Sequence, residues 1–491
     1  MNFRRLVRIA GRPAAWACGS ALLLAGCVHA PDVRTPTTAV PVAYDGQNGG
    51  LPAIAIDRWW TLYGDPQLAS LVDHALANGF SVREAFARLD EARATRSGAL
   101  ARFGLQGNLE ANAQVQRSKV LTIDEIPGFP DELLTNLFAP TTTRTTNASL
   151  PISWQLDLFG RRGANRRVAD ATLAAARFTY EGARATLAAD VARSLFEARG
   201  LAAQLEDARA TAANQRRLNE VVAGRVRRGL DPSTQSEQVE GSVAQAAAEV
   251  SNLEGAFDAA RRALLILIGS GPSPLASLPV VSALPEVPSI PATMPGELLV
   301  RRPDVREARA QLDAASGNVR VAELAFYPTI TLQAALAYAS QTGGIGTTTL
   351  TGTGAGGLTA PIFDRGRLKA ELRTASARAE QAVLAYERLV QNAYGEADQA
   401  LIRLDADRRR ITALEAGVAR SQRGYDAALK RLQLGFADLQ EVLEAERNLR
   451  SARSGLTAAR VEGLTRSVQA FQALGGGWTA TPDTKNPKDR P

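Results

Sequence analysis

The chain is written twice, and this duplication constrains the fold more than any other feature. Val82, Arg83, Glu84 and Ala85 recur as Val305, Arg306, Glu307 and Ala308, and Leu89 and Asp90 recur as Leu312 and Asp313. Phe103 and Leu109 return at the same offset as Phe326 and Leu332. Farther along, Tyr180, Glu181, Arg225, Gly229 and Gly269 return as Tyr386, Glu387, Arg431, Gly435 and Gly475. Self-similarity over this length predicts one structural unit used twice around an axis.

Prolines show what each unit contains. None occurs between Pro151 and Pro232 or between Pro361 and Pro482. Both spans are rich in alanine, which favours helix intrinsically and lets helices approach closely. A helix of about 60 residues extends about 90 Å at 1.5 Å per residue, far beyond an ordinary globular domain. The first is expected to end near Gly229, where glycine supplies a left-handed C-cap. Asp231 then reads as an N-cap, with Pro232 at the first helical position. The return runs through Val239, Val243, Ala246, Val250, Leu253, Phe257, Ala260, Leu264 and Leu267, the four-and-three spacing of a heptad seam. The second copy turns at Gly435, with Asp438 and Glu441 suited to capping its return helix.

Segments of a different period lie between the helices. From Asn147 to Leu158, the residues Ala148, Leu150, Ile152, Trp154, Leu156 and Leu158 alternate with polar neighbours. Ile330, Leu332, Ala334, Leu336 and Tyr338 repeat the pattern. A weaker strand is expected from about Gly104 to Gln116 and a glycine-rich one from Leu350 to Phe363. Period two with one apolar face fits a membrane barrel wall or the edge of a soluble sheet. Four strands cannot close a barrel, which needs about eight, since an open edge cannot be left in lipid. Three copies would give twelve. The expected fold is therefore mixed: all-α passages plus a membrane β-barrel shared between chains.

The N-terminus carries an export signal. Arg4, Arg5, Arg8 and Arg12 precede an apolar run to Leu24, and Ala25 and Gly26 precede Cys27. Those arginines supply four of the seven net positive charges, and the remaining charges are interspersed, so nucleic-acid binding has little support. Leu24, Ala25, Gly26 and Cys27 resemble a lipoprotein signal in which Cys27 is acylated. Val28 follows rather than an inner-membrane retention aspartate, so the outer membrane is the implied destination. Cys18 leaves with the leader, and one cysteine cannot form an internal disulfide. The expected divisions are a signal peptide at 1–26, a lipidated segment at 27–66, a first repeat at 67–269, a proline-rich linker at 270–296, a second repeat at 297–475 and a disordered tail at 476–491.

Trp59, Trp60, Tyr63, Asp65, Pro66 and Leu68 resemble the entry motif of outer-membrane efflux lipoproteins of the TolC family. Leu298 to Leu312, with Arg301, Arg302, Pro303, Asp304, Val305 and Arg306, resembles its most specific internal signature. Leu156 to Arg161 and Pro361 to Arg367 resemble the strand-to-helix junctions of its halves. Leu105 departs from the pattern, standing where the second copy has Pro328 and where relatives commonly carry proline. The likeness covers nearly all of the mature chain. It implies a homotrimeric channel-tunnel, with a twelve-stranded barrel in outer-membrane lipids and a long α-helical coiled-coil barrel crossing the periplasm. An inner-membrane RND-type pump and a periplasmic adaptor would deliver small molecules to its tip. Protein secretion remains open within that class, as does a lipid-anchored periplasmic coiled-coil scaffold outside it.

Tip residues have two readings each. Asp438, Glu441 and Glu444 could line a gate, and the resemblance best matches Glu441 and Glu444 to such positions. Equally, Asp438 and Glu441 make a capping box and Glu444 a solvated face. Arg225 and Arg431, with Gly229, Asp231 and Gly435, could meet the adaptor, or the arginines could complement helix C-termini. Pro303 with Asp304 reads as a helix start, and Trp59 and Trp60 as an anchor for the N-terminal segment. No cofactor, metal or catalytic group is expected. Gly352, Gly354 and Gly357 spell a dinucleotide fingerprint inside a strand, without the helix it needs. His29 and His74 lack partners for metal or nucleophilic chemistry.

Overall fold

A computed structural model describes residues 33–37, 39–45, 56–121, 139–229, 232–290, 294–343 and 346–478. The leader, Cys27 and Asp231 lie outside the described residues. The element order is α1 (Pro66–Asn78), α2 (Phe80–Ala101), β1 (Gln106–Gly107), β2 (Glu110–Ser118) and β3 (Thr141–Leu156). Next come α3 (Arg161–Arg227), α4 (Ser233–Leu267), α5 (Leu298–Arg301) and α6 (Pro303–Leu324). The chain finishes with β4 (Thr329–Thr342), β5 (Thr347–Thr359), α7 (Arg365–Gln433) and α8 (Leu439–Ala473). The duplication is literal in these lengths. The long helices α3 and α7 hold 67 and 69 residues, and each is followed by a return helix of 35. The heptad seam assigned to α4 is buried or half-buried at every position.

Contacts divide the chain into two compact units. One comprises Met1–Arg34, Ala92–Leu173 and Gln311–Ala382 and contains every strand among the described residues. Its sheet is antiparallel throughout: β3 pairs with β4 and β4 with β5, while β1 and β2 both pair with β3. The expected first strand is therefore interrupted, with Asn108 and Leu109 unpaired between β1 and β2. Register aligns the apolar faces across the sheet. Trp154 sits opposite Leu332, Leu150 opposite Leu336, Ala148 opposite Tyr338, and Tyr338 in turn opposite Leu350. A one-residue slip would turn that face over, so the pattern itself fixes the register.

Two strands end earlier than the sequence expectation. β3 stops at Leu156 because Asp157 turns to cap α3, accepting from Arg161 N at 2.6 Å and Arg162 N at 3.0 Å. Gly160, with φ of 82°, makes the bend. The Arg161 guanidinium then donates to Leu324 O at 2.9 Å and Tyr327 O at 2.7 Å, tying the start of α3 to the end of α6. β5 likewise stops at Thr359, and the residues around Pro361 lead into α7. β3 also begins six residues earlier than expected, at Thr141, in a threonine-rich run with no apolar alternation to mark it.

The other unit comprises Thr35–Glu91, Ala174–Ala310 and Val383–Pro491. Trp59, Trp60 and Tyr63 are buried in its core as an anchor of the N-terminal segment. Trp59 stacks on Phe471 at 5.5 Å and Tyr63 packs on Phe196 at 5.2 Å. Asp65 caps α1, accepting from Gln67 N and Leu68 N, and forms a buried ion pair with Arg199. Pro303 opens α6 as expected, with Asp304 in its first turn and bound to Arg302 at 2.7 Å.

Within the expected linker at 270–296, the described residues from 273 to 288 are tied to the neighbouring helices. Arg261 donates to Leu278 O, Arg262 to Ser273 O, Gln67 to Pro279 O and Arg408 to Pro288 O. The assigned tail begins too early. Gly476 donates to Phe471 O, and Trp478 is buried, donating to Arg301 O at 2.6 Å. Residues 476–478 therefore belong to the core, where the indole meets the Phe178 ring edge-on at 6.3 Å and Arg306 lies over both rings. Residues 479–491 lie outside the described part.

Candidate functional site: the helical turns and the strand face

Four glycines at equivalent places in the two copies end the helices. Gly229, Gly269, Gly435 and Gly475 all have positive φ, between 72° and 81°. After α7 the turn is a complete Schellman closure: Gly435 N donates to Leu432 O at 3.0 Å, and Phe436 N donates to Arg431 O at 2.8 Å. After α3, Gly229 N donates to Val226 O at 2.9 Å. Pro232 is the N-cap residue of α4 and stands just before the helix, one position earlier than the sequence suggested.

The candidate gate residues separate into distinct roles here. Asp438 is the N-cap of α8 and accepts from Glu441 N at 2.9 Å. Glu441 makes an ion pair with Arg431 at 2.5 Å instead of completing the capping box. Arg431 also donates to Phe436 O at 3.2 Å, so its guanidinium brackets the turn that its own carbonyl helps to close. Glu444 is exposed, with no ion pair among the described residues. Arg225 lies in the last turn of α3, half-buried and partnered. Leu434 and Phe436 stand out from the α7–α8 turn, 61% and 74% exposed.

Beneath the turns, a buried cluster joins all four long helices: Leu218 and Val222 from α3, Val239 from α4, Leu432 from α7, and Leu439 and Val442 from α8. Next to it lies a polar layer that sequence reading missed. The Gln215 amide donates to one oxygen of Glu446. Gln215 Oε1, Asn219 Oδ1 and the other Glu446 oxygen are buried without a donor. Burial pushes the Glu446 carboxyl above its usual range, against the opposing effects of Arg450, the Gln215 amide and Arg447. Tyr425 on α7 is also raised, by burial first and then by the charge of Glu446. The available signal was that Gln215 and Asn219 sit at helical spacing beside Leu218 and Val222, polar residues on an apolar seam.

The strand face is the second part of the site. Leu150, Ile152, Trp154, Leu332, Leu336, Tyr338, Leu350 and Leu358 are each between 37% and 71% exposed, on one side of one sheet. Soluble monomers rarely leave such a patch in water; it marks a surface that meets lipid or another chain. The outer edges of β2 and β5 have no strand partner among the described residues. Glycines 352, 354 and 357 lie within β5, as paired residues of that strand. His74 lies near Ser270 Oγ and Asn78, and no metal-binding group of His, Cys, Asp and Glu occurs among the described residues.

Comparison with known proteins agrees with this arrangement. The outer membrane efflux protein family matches residues 71–270 and 294–476. The pyoverdine export outer membrane protein OpmQ of Pseudomonas aeruginosa is 31% identical over 93% of this chain and 95% of its own length. The cation efflux system protein CusC of Escherichia coli O6:H1 is 30% identical over 93% of this chain and 97% of its own. Among solved structures, the outer-membrane channel OprN superposes with a TM-score of 0.77 at 26% identity, covering 92% of this chain and 100% of that one. The chain belongs to the outer membrane efflux protein family.

Proposed function

We propose that three copies of this chain form a passive exit duct through the outer membrane. An inner-membrane RND-type pump and a periplasmic adaptor would load it. The observation that carries this reading is the sheet, with its exposed apolar face and open edges on β2 and β5. Backbone groups at those edges need partners before they can enter lipid, and copies of the same sheet supply them. The long hairpins α3–α4 and α7–α8 would wall the tunnel, with the turns at Gly229 and Gly435 at its periplasmic entrance. Glu444 is the best candidate for a lumenal gate charge, because Asp438 and Glu441 already serve the turn itself. Cys27 would carry the acyl anchor. The names of relatives specify pyoverdine export and cation efflux, which supports a duct that leaves selection to the pump.

Native mass spectrometry on protein extracted from outer membranes in mild detergent tests the assembly. A trimer carrying acyl chains on each Cys27 is expected. A monomer under conditions that preserve trimeric channels would leave four strands with open edges and would overturn the reading.

A further inference from the structure

The sheet register places two arginines at the hairpin end of the apolar face, level with and just beyond Val115. Exposed positions on β3 run from Trp154, Ile152 and Leu150 to Thr146 and Arg144, all on one face. Arg144 pairs with Val115 on β2 and Thr342 on β4, while Arg117 pairs with Thr142. Arg117 thus stands on that same face, one diagonal step from Arg144 and about 7–8 Å away. Lys119 follows β2 and is exposed. Thr142, Thr146, Ser340 and Thr342 surround the pair on this side of the pleat. Neither arginine has a carboxylate partner among the described residues.

Spacing places this patch in depth. From Leu156 to Ala148 the strand climbs about 27 Å, which at the tilt of a barrel strand spans most of a roughly 25 Å apolar band. Arg144 lies four residues farther, about 14 Å along the strand, where hydrocarbon gives way to head groups. The arginines are at the β2–β3 and β4–β5 hairpin end of the sheet, opposite the end that leads into α3 and α7. In an outer membrane that end faces the outer leaflet. Two adjacent guanidiniums repel each other unless an anion lies between them, and phosphate accepts from both in bidentate fashion.

We propose that Arg117 and Arg144 bind the phosphate groups of lipid A, the phosphorylated glycolipid of the outer leaflet. The inference rests on the sheet being a lipid-facing barrel wall. Lipid A seated here would hold its acyl chains against Leu150, Leu336 and Tyr338 and fix the height of the barrel in the membrane.

The test titrates detergent-purified full-length protein with bisphosphorylated lipid A, dephosphorylated lipid A and phosphatidylglycerol, reading bound lipid by native mass spectrometry. The wild type, Arg117→Gln/Arg144→Gln and Arg117→Lys/Arg144→Lys are compared. In parallel, bimane on Leu336→Cys in nitroxide-lipid bilayers reports whether the face meets lipid in each background. The expected result is lipid quenching in all three and lipid A affinity lower by at least about tenfold in the glutamine variant, with partial retention by lysine. Dephosphorylated lipid A should bind the wild type as weakly as lipid A binds that variant. Equal lipid A binding by wild type and glutamine variant, with quenching intact, overturns the site alone. Phosphatidylglycerol binding as tight as lipid A overturns its assignment to that glycolipid. An unquenched probe in the wild type overturns both the barrel wall and the site.

Discussion

Glu446 shows how one side chain can carry the state of a helix bundle. It lies in the polar layer beneath the helical turns, facing Gln215 of α3 and, from α7, Tyr425 with Asp426 beside it, while Arg447 and Arg450 flank it on its own helix. Its folded pKa is raised, so the packed state holds the proton more tightly than the unfolded chain does. The resulting stabilisation is complete below the unfolded carboxyl value, about 4.3, and is lost as pH rises through the folded value. Glu446→Gln keeps the shape and removes the titration. Denaturant unfolding should show wild type losing stability relative to this variant as pH is raised from acid to neutral. A difference that does not change with pH would mean that folding leaves the Glu446 carboxyl unshifted. Asp65 and Arg199 are the contrasting case. Their charges are buried but matched, with Gln67 at 2.8 Å completing the set, so the pair holds α1 against α3 as a fixed bracket.

Helices were legible as elements because their signals are local. Proline-free alanine-rich spans became α3 and α7, and the glycines that end them adopt the left-handed conformation the sequence implied. Strand limits were less legible. Asp157 belongs to the alternating pattern by sequence, yet it leaves the strand to cap α3, since unsatisfied amides at a helix start outweigh one more ladder pair. The glycine turns give a graded prediction. A Cβ at Gly435 meets nothing within 4 Å, so Gly435→Ala suffers backbone strain alone, about 1–2 kcal/mol. At Gly475, a Cβ would come within 2.9 Å of the Arg301 backbone. Gly475→Ala should therefore lower the melting temperature more than Gly435→Ala. Equal losses would show that the core around Gly475 yields freely.

On the scale of the whole chain, the two copies are not independent domains. The central ladder of the sheet, β3 with β4, takes one strand from each copy. The largest core also mixes them, with Val72, Phe196 and Leu264 from the first copy and Val305, Val390 and Phe471 from the second. Each half alone would expose the apolar seam that its partner covers. Residues 27–290 and 291–491 expressed separately should show no cooperative melt by circular dichroism. A cooperative transition from either half would mean that one copy suffices for a core.

The amino-acid sequence by itself determined the duplication, the long helices with their glycine turns, and the strands with their apolar face. These follow from steric preference and hydrophobic period, which act between residues near in the chain. Tertiary structure alone decided that Trp478 closes the core over Arg306, that Arg431 engages Glu441, and that Glu446 lies buried beside Gln215. A charge on a helix has the same sequence signature whether water or another helix faces it. Its burial, and hence its protonation and partner, is set by residues far away in the chain.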